Sequence, residues 1–532
     1  MKKNLFGISL LTITCLYCLL AAVIILVTIV TKVPVIYGIG ASIVILIIQF
    51  LISPFITDLS MRWFYKVKFD HEIPEYLKKF IEEVCNNHNM KYPRIGYIDD
   101  GAPNAFTYGH TKNNARVVLT RGIFELLNEE EAKAVVAHEL GHASHYDMLF
   151  MTVAQLVPLV LYGIYELLRS RDNNSDSDSK AQLVAWIAYL LYIVSNYIIL
   201  ALSRTREYYA DSFSVEETKN PNALANALVK IGFGLSTAQT NEKHSAAKSN
   251  TLGIFDEKSS KALVVGSTDE NGEVSKEYIK QAMKWEKWNI WAKWYQLNST
   301  HPLISKRLEA ISKRSNEFNQ KPYIEFDLKK EEYYVDDFII ELIINFLPGL
   351  MFLITVIIGF LNVTLEWNIK LLMIIGVGLL LTVFFSYVKF RRRYRVKEFK
   401  NTTVRNLLGE VKVSHITSIP CTLEGNIIGR GNPGCIFNED FIIKDETGII
   451  FLDYNQPIAI VNKIFALFKS HEYFDKKVKV VGWYRRSPVP YVEIKSMEVD
   501  GKTKNIFTYP LTKALYVIGF VASIVVIVFS II

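Results

Sequence analysis

The sequence predicts a multi-pass α-helical membrane protein of about seven spans, with sizeable aqueous domains and a small C-terminal all-β domain. Three observations carry this. Seven apolar stretches approach the ~20 residues that a bilayer core requires. Half of the 532 residues are hydrophobic, yet mean hydropathy is only +0.18, so the spans must alternate with polar domains. The segment from about 397 to 510 changes to alternating apolar and polar residues broken by turn signals (GN, NPG, ETG).

The expected spans are 5–31, 34–57, 148–168, 181–203, 340–362, 370–389 and 511–532. The first is too long for a signal-peptide core, lacks a small-residue cleavage site and is followed at once by a second span, which makes it a retained anchor. Basic residues cluster after spans two, four and six (Arg62, Lys66 and Lys68; Arg204 and Arg206; the run KFRRRYRVK at 389–397). By the positive-inside rule these loops are expected in the cytoplasm.

The chain then divides into two spans (1–57), a first aqueous half (58–147), a transmembrane hairpin (148–203) and a second aqueous half (204–337). A second hairpin (338–390), a cytoplasmic β domain (391–510) and a final span (511–532) follow. No ionisable residue sits mid-span, which argues against a pump or transporter. The modest net charge of +7, placed at span ends, does not suit nucleic-acid binding, and none is expected. Cys15 and Cys18 lie in an apolar run, and Cys85, Cys421 and Cys435 are isolated. That usage fits domains facing a reducing compartment.

The strongest signal is NEEEAKAVVAHELGH at 128–142. Asn128 can cap a helix and Glu131 can close a capping box. His138 and His142 then fall one turn apart on one face, and Glu139 between them can reach a water on the same metal. Two imidazoles plus a glutamate base is the zinc-protease pattern HExxH. Small Ala134, Ala137 and Gly141 would let a neighbouring element pack close.

Catalytic zinc commonly takes a third protein ligand. SRTREYYAD at 203–211 leaves span four with Glu207 and Asp211 one turn apart. Glu207 can complete a His₂Glu set, and Asp211 can accept a hydrogen bond from the free nitrogen of a zinc histidine. If the flanking helices run on unbroken, both halves of the site stand within about 10 Å of the membrane surface.

With HELGH at 138–142 and SRTREYYAD at 203–211 separated by membrane helices, the sequence resembles the membrane gluzincin peptidases that include the heat-shock protease HtpX and the type I CAAX prenyl protease. The resemblance covers roughly residues 1–315. It implies a mainly helical peptidase domain carrying a small edge-strand sheet, one Zn²⁺ per chain, a polypeptide substrate and work in membrane-protein quality control. It also implies that PNAFTYG at 103–109 is a substrate-pairing edge strand, with Asn104 and Ala105 facing the cleft. STHPLISKR at 299–307 would bring His301 and Arg307 to the reacting carbonyl. Taken alone, Asn104 reads as turn chemistry and His301 as a loop histidine.

MKWEKWNIWAKWYQL at 283–297 places Trp285, Trp288, Trp291 and Trp294 three apart among lysines. It suits either a helix in the headgroup layer or an aromatic face packed on the peptidase domain. The β domain suggests an OB-type barrel, a fold that does not decide function. The expected activity is zinc-dependent endoproteolysis of membrane proteins or membrane-proximal peptides at the cytoplasmic face. The alternative is a membrane scaffold or sensor with a structural or vestigial zinc site, which would be closed by a fourth ligand; His145 is the candidate.

Overall fold

The computed structural model describes residues 2–31, 35–69, 71–169, 176–237, 276–325, 334–367, 369–431, 439–487 and 489–532. Cys435 and the NPG turn signal at 432–434 lie outside them. The chain forms two compact units, Met1–Ser260 with Trp294–Phe326, and Lys261–Lys293 with Asp327–Ile532. The expected second aqueous half, 204–337, is thus shared between them.

The first unit begins with α1 (Lys2–Thr31) and α2 (Val35–Phe64), followed by amphipathic α3 (Glu75–Asn87), which buries Leu77, Ile81, Val84 and Cys85. A three-stranded sheet comes next: β1 (Arg94–Ile98), β2 (Ala105–Gly109) and β3 (Ala115–Thr120) in the order β1-β3-β2. β3 is central, parallel to β1 and antiparallel to β2, so β2 is an edge. Short α4 (Arg121–Leu126) leads to α5 (Glu129–Ser144), whose capping box joins Asn128 and Glu131 as expected. Buried Glu131 also accepts hydrogen bonds from Asn226 and from Lys230 Nζ (2.8 Å) in α8 (Pro221–Thr237).

α6 (Asp147–Arg169) and α7 (Asp176–Thr218) pack with α1 through Leu16, Leu20, Val157, Leu161, Val184 and Ala188. At 43 residues, α7 is about 65 Å long, roughly twice a hydrocarbon core. Its apolar half can span while its polar half continues into water as one rigid rod. The expectation of an unbroken run holds for α7 and fails between α5 and α6. There the chain turns at His145 and Tyr146, the latter at φ 57°.

Six described helices are long and apolar enough to cross a membrane: α1, α6, α7, Val335–Thr364, Leu371–Arg393 and Thr508–Ile531. The remaining expected span falls in the 30-residue apolar α2. The molecule is a multi-pass membrane protein.

In the second unit the last three spans pack at small residues, with Gly376 against Ile527 and Gly378 against Thr355. The soluble part is a closed barrel of β5 (Ile419–Arg430), β6 (Phe441–Asp445), β7 (Gly448–Asp453), β8 (Lys477–Ser487) and β9 (Val489–Val499). Antiparallel pairs β5·β6, β6·β7, β8·β9 and β5·β8 are closed by the parallel pair β7·β9. Strand order 1-2-3-5-4-1, with a helix (Ala459–Phe468) between the third and fourth strands, is the expected OB arrangement. Two-residue β4 (Lys400–Asn401) flanks β5, and β10 (Lys502–Asn505) flanks β9.

The tryptophan segment divides between the two units, with 283–293 in the C-terminal unit and 294–297 in the first. It breaks at Asn289 into Lys276–Trp288 and Ile290–Leu297. Trp285 is buried, donates its indole N–H to the Val413 carbonyl (2.8 Å) and lies under Arg486 of the barrel. Trp291 is buried beside Phe338 and His415. These two rings pack within the C-terminal unit, because their N–H groups find buried acceptors there.

Candidate metal centre

α5 enters the core with Ala132 and Ala134 to Ala137 buried, and its second half carries His138 and His142. Gly141 makes the approach of α7 possible: a Cβ there would stand 3.1 Å from Phe213 Cβ and 3.2 Å from Ala210 Cα. The Ser214 hydroxyl closes the same seam by donating to the Ala134 carbonyl (2.6 Å). This contact brings Glu207 onto the two histidines.

The two imidazole Nε2 atoms are 3.2 Å apart, with rings at 90°. Glu207 Oε2 is 3.6 Å from His138 Nε2, and Oε1 is 3.6 Å from His142 Nε2. A tetrahedral zinc bound at about 2.0–2.1 Å would need donor–donor edges of roughly 3.3 Å. Glu207 Oε2 is buried without a hydrogen-bond partner among the described residues, as a ligand atom aimed at an ion would be. The residues fit the metal, and these three form the metal-capable His/Cys/Asp/Glu group found among the described residues. His145 is not part of it; its ring packs edge-on to Tyr209 and Phe213.

The rear nitrogens of both histidines face carboxylates. His138 Nδ1 is 3.0 Å from Asp211 Oδ1. His142 Nδ1 is 2.7 Å from Asp147 Oδ2, a partner the sequence reading missed. Burial pushes the His138 imidazole down, but Asp211 and Glu207 outweigh it and carry the group up to about 9 without metal. His142 is lowered, by burial first.

Arg307 grips Asp211 with a fork, Nε to Oδ2 at 2.9 Å and Nη2 to Oδ1 at 2.6 Å, while its Nη1 is 3.4 Å from Glu207 Oε2. His301 Nδ1 lies 3.2 Å from the same Glu207 oxygen. The loop before it is pinned by Arg204, whose Nη1 donates to the carbonyls of Gln296 and Ser299 (2.8 Å each). Arg204, expected as a water-line anchor, thus also orders the His301 segment.

The family model for peptidase family M48 matches residues 73–315. A protease HtpX homolog of Methanothermobacter thermautotrophicus is 40% identical over 196 residues, covering 37% of this chain and 72% of that protein. The homolog of Picrophilus torridus is 30% identical over 275 residues, covering 51% of this chain and 82% of that protein. This chain belongs to peptidase family M48. A solved structure, S. mikatae Ste24p, matches at 16% identity with a TM-score of 0.33, over 56% of this chain and 62% of that one.

As an M48 member with six apolar helices, the protein is a membrane-associated protease. Glu139 is buried in α5 between the two histidines. Its backbone carbonyl accepts the Thr107 hydroxyl of β2 (3.2 Å), which fastens the edge strand alongside the metal helix. Asn104 and Ala105 open that strand. The Asn104 N–H donates to Thr120 Oγ1 (2.8 Å), and its Oδ1 accepts the Ala105 N–H (2.9 Å). His138, Glu139, Glu207, Asp211, His301 and Arg307 are thus buried together, with half-buried His142 completing the metal-capable group.

Two supporting residues escaped the sequence reading. Asp147 is the first acid after HELGH, five residues beyond His142, and that offset was its available signal. Its other oxygen, Oδ1, is held by buried Arg206, which also donates to Ser9 Oγ of α1 (2.9 Å). Arg206 stood among basic residues expected only as membrane anchors, so nothing local marked it.

Proposed function

We propose that the protein is a zinc-dependent endopeptidase, with one Zn²⁺ per chain, acting on membrane proteins or membrane-proximal peptides at the cytoplasmic membrane face. Its work would be membrane-protein quality control or processing. The observation that carries this is the convergence of His138, His142 and Glu207 at donor spacings that suit zinc, with Glu207 on the same unbroken helix as a span. A catalytic centre rigidly joined to a membrane helix is suited to substrates held near the bilayer.

Zinc, when bound, would supply Lewis acidity toward the scissile carbonyl and lower the pKa of the attacking water. Glu139 takes that water's proton and passes it to the leaving amine. His301, held beside Glu207, donates toward the developing oxyanion. Arg307 serves through its fork on Asp211, fixing the carboxylate that orients His138. An extended peptide would pair with edge strand β2, at whose start Asn104 and Ala105 lie buried.

The test is Glu139→Gln in purified protein. It should keep zinc and lose cleavage of an unfolded membrane-protein substrate. Near-normal cleavage would overturn the base assignment. The same variant, used as a trap on whole membranes, would identify the substrates.

A further inference from the structure

The helix Ala459–Phe468 of the barrel presents large apolar side chains outward. Ile460 is 65%, Ile464 53% and Phe468 67% exposed, and Ile458 and Val461 are exposed beside them. Ile460, Ile464 and Phe468 are spaced by four, so they form one stripe along the helix. The opposite side, Asn462, Phe465 and Ala466, is buried against the barrel. A soluble domain rarely leaves such a stripe uncovered.

The helix's position says what covers it. The segment just before it is hydrogen-bonded to the root of the last span. Gln456 Nε2 donates to the Asn505 carbonyl (3.2 Å), the Phe507 N–H donates to Gln456 Oε1 (3.1 Å), and the Thr508 hydroxyl donates to the Asn455 carbonyl. One turn into that region, Tyr509 stacks on Phe390 (centroids 5.6 Å, 10° between planes), immediately before Arg391, Arg392 and Arg393. Aromatic rings followed by arginines mark a water–lipid boundary. Phe507, at the same root, is itself exposed. Lys463 on this helix and Lys469 just past its end are exposed, as cations meeting headgroups would be.

We propose that Ala459–Phe468 is an in-plane membrane helix whose Ile460, Ile464 and Phe468 stripe lies in the headgroup–acyl boundary and seats the barrel on the bilayer. The partner is the lipid surface. A second copy or a peptide would have to displace lipid from a face tied within a few residues to a transmembrane root. The proposal does not depend on the peptidase chemistry.

The test uses the full chain with its native cysteines replaced, reconstituted into phosphatidylcholine–phosphatidylglycerol vesicles. An environment-sensitive fluorophore is placed at Ile464→Cys or Ile460→Cys. A third site, Lys479→Cys, lies at an exposed position of β8, where Lys479 pairs with Glu424 (3.0 Å). Lipids brominated near the carbonyl end should cut emission at the two stripe positions by about half and leave the β8 site unchanged, as interfacial burial requires. Aqueous iodide should show the opposite order. Using two stripe positions guards against one variant failing to fold. Iodide access with no bromolipid quenching at both, or protection that requires a second copy in the vesicle, would overturn the proposal.

Discussion

His142 Nδ1 lies 2.7 Å from Asp147 Oδ2, and the same carboxylate is held from its other side by Arg206. The contact fixes His142 with Nε2 toward Glu207 and its N–H toward Asp147. Removal of such an oriented partner typically costs 10–100-fold in metal affinity. Asp147→Asn should therefore weaken zinc binding by roughly that factor, measured by competition with a chromogenic chelator. Unchanged affinity would show that α5 alone orients the ring.

Gly141 is where α5 and α7 touch, and a Cβ there would stand 3.1–3.3 Å from Ala210 and Phe213 atoms. Gly141→Val should push α7 outward and draw Glu207 off the histidines. The expected cost is about 1–3 kcal/mol of stability together with loss of bound zinc, although no ligand has changed. Metal content after gel filtration checks it.

Arg307 and Asp211 are both buried and bonded through a fork. Removing one partner leaves Asp211 facing His138 Nδ1 (3.0 Å), or Arg307 facing Glu207 (3.4 Å), without the fork, so Arg307→Ala or Asp211→Ala should each destabilise, by up to about 3–5 kcal/mol. The double variant should lose clearly less than the sum, because the fork they share can be lost only once. Thermal unfolding of the four proteins closes the cycle. Arg307→Lys should recover only part, since an ammonium cannot reproduce two parallel bonds.

Asp453 of the barrel is pushed up to about 7 from an ordinary 3.8, by burial first and then by the negative charges of Asp440 and Glu493. The folded state thus holds this proton more tightly than the unfolded chain. The stability it contributes is full below about pH 4 and is lost as pH rises through 7. Asp453→Asn should flatten the fall in barrel melting temperature between about pH 4 and 7, and an equal slope in both proteins would refute the assignment.

The sequence by itself determined the spans, the capped metal helix and the carboxylate beyond span four. Each is written in local periodicity: 20-residue apolar runs, a capping box, and ligands one turn apart. The pairs His138/His142 and Glu207/Asp211 were each legible because a helix converts spacing of four directly into a shared face. The OB strand order was only suggested, since alternation marks strands without fixing which edges meet.

Only the tertiary structure decided the support of the site. Asp147, Arg206 and Arg204 act across 59 or more residues of chain, or through a turn at His145 and Tyr146 that no periodicity announces. It also placed Trp285 and Trp291 within the C-terminal unit. An aromatic stripe records that a face will be buried, but the partner depends on where a distant indole N–H finds its acceptor. Apolar pattern is a property of neighbours along the chain, whereas pairing of buried charges and donors is settled by whatever folding brings within about 3 Å.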